Sequence, residues 1–445
     1  VGFGLGLIHY IPPLAYLGFF IMTLVSLAGK PRWGLYYLIP FLPYRTMRDH
    51  FVDYPLGANV LTILILAVIA GGVIHGKRLP ASKLYWIWLG IGFYLYCSMW
   101  LGAANGMAPP PLWLSDQNFL TWKDYMLVPL VFLATALVVD DRRSIKTIII
   151  LSIVALVFID RSCILESMQR SWATFDENKR DRGPLAYGPN LSAAYLIQFA
   201  MFTWGFLQFA KKKMYKVAGF AVIAASFFAL LYTFSRGGYL AALIGILVLG
   251  ILKDRKLLPI LAVFLLTWQA VVPNAVHQRV DMTKTPSGEL EASAQGRVDL
   301  WKESWDSFQH RPILGNGYST FKYGQHTANL TDTHNVYMKV LVETGVVGLA
   351  IVLLLLQQMF SLGYGLFRRG SEPLYQGLGL GICLATCCAV VTNCFGDRWN
   401  FMEISGPMWV LVGAATRSRD LMAQEESADL ISAQANSGAS LPITP

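Results

Sequence analysis

A chain of 445 residues that is 55% hydrophobic and only 14% charged, with a mean hydropathy of +0.47, is too apolar for an ordinary water-soluble domain. It reads as an integral membrane protein built from helices, because its apolar runs are too long and too uniform for alternating barrel strands. The net charge of +9 does not indicate nucleic acid, since most Lys and Arg fall in short loops between apolar runs, where they set topology.

In chain order, thirteen candidate spans cover 5–28, 33–43, 58–75, 84–103, 122–139, 145–159, 190–210, 214–234, 238–252, 257–272, 335–366, 374–394 and 401–415. The basic loops at 76–78, 141–143, 211–213, 253–256 and 367–369 and the tail from Arg417 fall on alternate sides of these spans, so all can be cytoplasmic at once. The outer face then holds 105–121, 160–189, 235–237, 273–334 and 393–400. The run 33–43 is about half the usual span length, and if it is re-entrant the count falls to twelve. The expected fold is therefore an all-α polytopic transmembrane bundle of 12 to 13 spans with one long structured periplasmic loop. Its parts are N-terminal helices over 1–160, central helices over 161–273 with an outer loop at 161–189, the long loop 274–334, C-terminal helices over 335–416, and a disordered or loosely helical cytoplasmic tail, 417–445.

Cys97, Cys383, Cys387 and Cys388 lie inside apolar runs, where packing accounts for them. His9, His50, His75 and His277 show no metal-ligand spacing, so no metal and no other cofactor is expected.

The outer polar residues carry the chemistry. Arg180 and Arg182 end the second outer loop, suited either to interfacial anchoring or to a phosphorylated lipid. Arg236, in a Ser-Arg-Gly-Gly turn with almost no loop, is held at the membrane edge, where a guanidinium suits a diphosphate or a structural ion pair. In the long loop, apolar positions 298, 301, 305 and 308 predict an amphipathic interfacial helix with Arg297 at or just before its start and Trp301 and Trp305 as membrane anchors. His334 follows Asp332 and Thr333, either of which can cap a helix beginning near Asn335, and a neutral histidine beside a bound diphosphate can take a proton from an attacking hydroxyl. His310 and His326 share that loop and rank below it. Asp397, beside Arg398, can orient a sugar or an arginine, or form a surface ion pair.

The ordered succession RGPLAYGPN (182–190), SRGG (235–238), GRVDLW (296–301), HRPILGNG (310–317) and THNVY (333–337), with Glu343-Thr344-Gly345, resembles the O-antigen ligase and polymerase superfamily. The resemblance implies an inverting, metal-independent glycosyltransferase at the periplasmic side of the bacterial inner membrane, drawing a glycan from an undecaprenyl diphosphate carrier. It implies that Arg236 and Arg297, together with Arg182, hold the donor diphosphate and that His334 activates the acceptor hydroxyl. The acceptor is lipid A core for a ligase, another glycan for a polymerase, or a protein hydroxyl for an O-oligosaccharyltransferase; ligase is the leading reading. The competing class is a transporter or flippase for an anionic lipid-linked sugar, which calls for ionisable residues near mid-membrane rather than at the outer edge.

Overall fold

The computed structural model describes residues 10–171, 173–185, 187–283, 290–324, 326 and 332–437. Helices make up 77% of the described residues, and no strand occurs among them, which establishes the all-α class. The first expected span therefore begins partly outside the described residues.

The N-terminal third runs α1 (Ile11–Leu27), α2 (Pro31–Leu38), α3 (Arg45–Asp49), α4 (Asn59–Ile74), α5 (Lys83–Ala104), α6 (Gln117–Leu127), α7 (Leu130–Val138) and α8 (Arg142–Ser167). The centre holds α9 (Pro189–Leu207), α10 (Lys213–Tyr232), α11 (Arg236–Leu252), α12 (Leu257–Val271), α13 (Asn274–Asp281) and α14 (Ala292–His310). The chain closes with α15 (Val336–Arg369), α16 (Pro373–Asn393) and α17 (Met402–Ser437). The short apolar run at 33–43 forms the eight-residue α2 and a 3-10 turn, Ile39–Phe41. At 1.5 Å per residue such a helix cannot cross the hydrocarbon layer.

Among the described residues, six helical stretches are long and apolar enough to cross a membrane on their own: Lys83–Ala104, Gln117–Val138, Arg142–Ser167, Lys213–Tyr232, Val336–Arg369 and Pro373–Asn393. A seventh crossing would be the pair α12 and α13, which meet at 104°. Helices α1, α4 and α11 are apolar but shorter than the roughly 20 residues that span the core untilted. The tail after Arg419 continues α17 as far as Ser437.

Helix α16 is a hub of the bundle. It packs against α9 on one side and α15 on the other, and its small residues let backbones meet: a Cβ added at Gly205 of α9 would lie 2.8 Å from the Gly381 nitrogen.

The long loop is fastened to the membrane domain through a break in α15. Gly345 adopts φ 64° and ψ −169°, inside the left-handed half of backbone space that side chains disfavour. The backbone groups around this break are taken up by the 310–317 motif: Val346 N–H donates to Pro312 O at 2.9 Å, while Asn316 and Gly317 N–H donate to Val342 and Glu343 O at 2.9 and 2.8 Å. Tyr94 of α5 completes the set by donating to Thr344 O at 2.6 Å. Irregular backbone at this depth survives only when protein satisfies it, and here the loop does so.

Candidate functional site

The loop and the helices that it braces enclose a cavity of about 330 Å³, within the usual range of small-molecule sites. Arg180, Arg236, Arg279, Arg297 and Arg398 all line it. They come from five separate stretches, so the cavity exists only in the folded chain.

Each arginine is positioned by an identifiable local device. Arg236 is the first residue of α11, whose N-cap Ser235 accepts from Gly238 N–H at 3.4 Å. Its guanidinium donates to Thr283 Oγ1 at 2.8 Å and Glu291 Oε2 at 2.9 Å. Arg279, on α13, donates to the other oxygen of Glu291 at 3.0 Å. Glu291 stands at the N-cap of α14 but makes no side-chain cap bond, so its carboxylate serves the two arginines instead. Burial works against that charge, yet the Arg279 and Arg236 bonds and charges hold the carboxyl below its ordinary pKa.

Arg180 bonds to Thr233 O at 3.0 Å, to Phe234 O at 3.1 Å and to Asn190 Oδ1 at 3.0 Å, and so clamps the turn that presents Arg236. Burial, with the charges of Arg279 and Arg297, pushes its pKa down to about 10. Arg297 lies on the second turn of α14 rather than at its start, because the helix begins at Ala292. Ala294, Arg297, Val298 and Trp301 form one helical stripe along the cavity wall. Burial and the charges of Arg236 and Arg279 lower the Arg297 pKa as well. Arg398 is held by its own turn, in which Asn393 Oδ1 accepts from the backbone N–H groups of Arg398 and Trp399 at 3.0 Å each. Five guanidiniums around one cavity give it a strongly basic wall.

His334 stands at the edge of this cluster. Trp301 donates to Thr333 O at 3.0 Å, tying the cavity-lining face of α14 to the segment that carries the histidine. Trp301 thus lines the cavity, while Trp305 is 48% exposed. The cap of α15 is Asn335, whose Oδ1 accepts from Tyr337 and Met338 N–H at 3.0 and 3.2 Å; Asp332 and Thr333 do not cap it. His334 itself has φ 52°, a conformation that non-glycine residues seldom adopt. Its Nδ1 lies 3.7 Å from Asp332 Oδ2. Burial and the charges of Arg297 and Arg398 outweigh Asp332 and lower the imidazole pKa, so the ring is neutral near pH 7.

The remaining sequence candidates lie elsewhere. Arg182 is exposed and does not line the cavity; its backbone N–H donates to Glu166 Oε2 at 2.9 Å. His310 ends α14 at the surface with Nδ1 2.8 Å from Asp306 O. His326 stacks on Phe321, with ring centroids 3.9 Å apart. Asp397 faces a smaller neighbouring cavity of about 70 Å³ and pairs with Lys339 at 2.9 Å, not with Arg398. Among the described residues no group of three or more His, Cys, Asp or Glu is placed to hold a metal.

Sequence reading missed Arg279 and Glu291. Neither belongs to a recurring motif, and the only signal was that both lie within the long outer segment.

Fold and cavity together define a multi-pass helical membrane protein with a basic cavity lined by five arginines, near His334. Residues 220–353 match the family model described as O-antigen ligase, which supports the O-antigen ligase and polymerase superfamily and a membrane enzyme of that type. The matched segment takes in Arg236, Arg279, Arg297, His334 and the break at Gly345. No curated protein matches the chain.

Proposed function

We propose that this protein transfers a glycan from an undecaprenyl diphosphate carrier to an acceptor hydroxyl, as an O-antigen ligase does, at the periplasmic side of the inner membrane. The observation that carries the reading is the convergence of five guanidiniums on one cavity with His334 within electrostatic reach of two of them.

The reaction has two demands. The acceptor oxygen must lose a proton as it attacks the anomeric carbon, and the departing diphosphate must be stabilised as the bond from that carbon to the phosphate oxygen breaks. Asp332 lies toward Nδ1 and favours the tautomer protonated there, leaving Nε2 as the base. The bond's electron pair goes to the diphosphate, where Arg236, Arg297 and their neighbours stabilise the charge without a metal. Attack from the face opposite the leaving group inverts the anomeric centre.

The testing experiment is equilibrium binding of undecaprenyl diphosphate to the purified full chain. Arg297→Ala is expected to weaken binding by about tenfold or more, since a charged hydrogen bond contributes about 1.5–3 kcal/mol. Equal affinity for undecaprenyl diphosphate and undecaprenol in the native chain would overturn the diphosphate assignment.

A further inference from the structure

At the opposite end of α5 and α15 from the arginine cavity lies a second, larger concavity of about 640 Å³. Its lining includes the exposed cations Lys83, Arg369 and Arg419, the exposed polar Ser361, the buried Leu362 and Trp86, which is 76% exposed. Lys83 is the first residue of α5 and Arg369 the last of α15, and both helices are candidate membrane spans. The concavity therefore sits where spans emerge, at headgroup depth.

Its charge is uncompensated. Among the described residues no carboxylate lines it, and Lys83 and Arg369 have no ion-pair partner. Asp420, next to Arg419 in the chain, pairs with Arg417 at 2.9 Å, and Glu372 and Glu425 pair with Arg142 at 3.1 and 2.8 Å. Arg419 donates to Ala81 O, which fixes the start of the tail helix against the entry to α5 and holds this third cation in place. Three like charges kept together around an apolar floor are stabilised by an anion that also has apolar substance.

We propose that this concavity is a binding site for an anionic phospholipid, with the lipid phosphate between Lys83, Arg369 and Arg419 and the acyl chains along Leu362 and Trp86. The site is separate from the transfer reaction. It braces the two helices that reach the other end, where α15 begins beside His334 and α5 packs Gly102 against Thr320 of the long loop.

The test is native mass spectrometry of the purified full chain, incubated with equal amounts of phosphatidylglycerol and phosphatidylcholine carrying the same acyl chains. The native chain is expected to retain phosphatidylglycerol with a preference of about fivefold per contributing cation. Lys83→Gln/Arg369→Gln/Arg419→Gln should bind the two lipids equally, and Arg369→Gln alone should lose about one such factor. Lys211→Gln/Lys212→Gln/Lys213→Gln, which removes the same charge from another loop, should keep the native preference. No preference in the native chain, the same preference in the first triple variant, or an equal loss in the second would overturn the proposal. Displacement of the lipid by millimolar inorganic phosphate would assign the site to a soluble anion and overturn it as well.

Discussion

Replacing Glu291 with Gln should make the protein bind its donor more tightly. The carboxylate bridges Arg236 and Arg279 through bonds of 2.9 and 3.0 Å, and all three side chains are largely shielded, at 16%, 23% and 5% exposure. A donor diphosphate that engages both arginines must break those two bonds before making its own. Charge-assisted hydrogen bonds contribute about 1.5–3 kcal/mol and neutral ones about 0.5–1.5. Glutamine keeps the shape and part of the bonding but releases about 1–2 kcal/mol to the donor after allowance for the remaining exposure, or about five- to thirtyfold in affinity. Titration of Glu291→Gln and native chain with undecaprenyl diphosphate, at constant ionic strength, measures this directly. Weaker binding by the variant would refute the reasoning, because Glu291 would then be organising the arginines for the donor rather than competing with it.

The transfer rate should hold steady through neutral pH and fall in a single step in acid, below the ordinary histidine pKa of 6.5, because His334 acts as the neutral base and loses that role when protonated. Asp332→Asn removes the charge that favours the imidazolium and should move the acid limb lower still, while Arg398→Ala should move it up; pH–rate profiles of the three proteins check both signs. Gly345→Ala forces a side chain into positive φ and into the Ile313 backbone, and should lower stability by about 1–3 kcal/mol or more, read as a loss in thermal midpoint. Chelation with EDTA should leave transfer unchanged, because the arginines supply the charge stabilisation; loss of activity that returns with added divalent metal would contradict this.

How far the site could be read in advance depended on how local each device is. Arg236 stood out because its turn is a few residues long and flanked by apolar runs, so its depth at the membrane edge follows from chain connectivity alone. His334 drew notice from its place at the start of a long apolar helix, yet the cap of that helix was expected at Asp332 or Thr333, three or two residues too early, since Asp, Thr and Asn are all good caps and only the folded turn selects Asn335. Arg297 was expected at or just before a helix start because the apolar spacing begins at Val298, whereas the helix runs back through Gly296 to Ala292. Arg279 and Glu291 meet Arg236 only after the chain has crossed α11 and α12 and turned back, and no spacing rule reports such an encounter. Hydropathy found the apolar runs well, and run length alone marked 33–43 as a doubtful crossing, which the short α2 resolves.

The central claim is that His334 supplies the base for a transfer whose leaving group the arginines receive. Turnover by the purified full chain, with a diphosphate-linked glycan donor and a hydroxyl acceptor, tests it most directly when native protein and His334→Ala are compared at saturating donor. The account predicts that the variant binds donor normally and loses about 10²–10⁴ in rate. Native turnover by His334→Ala would contradict it.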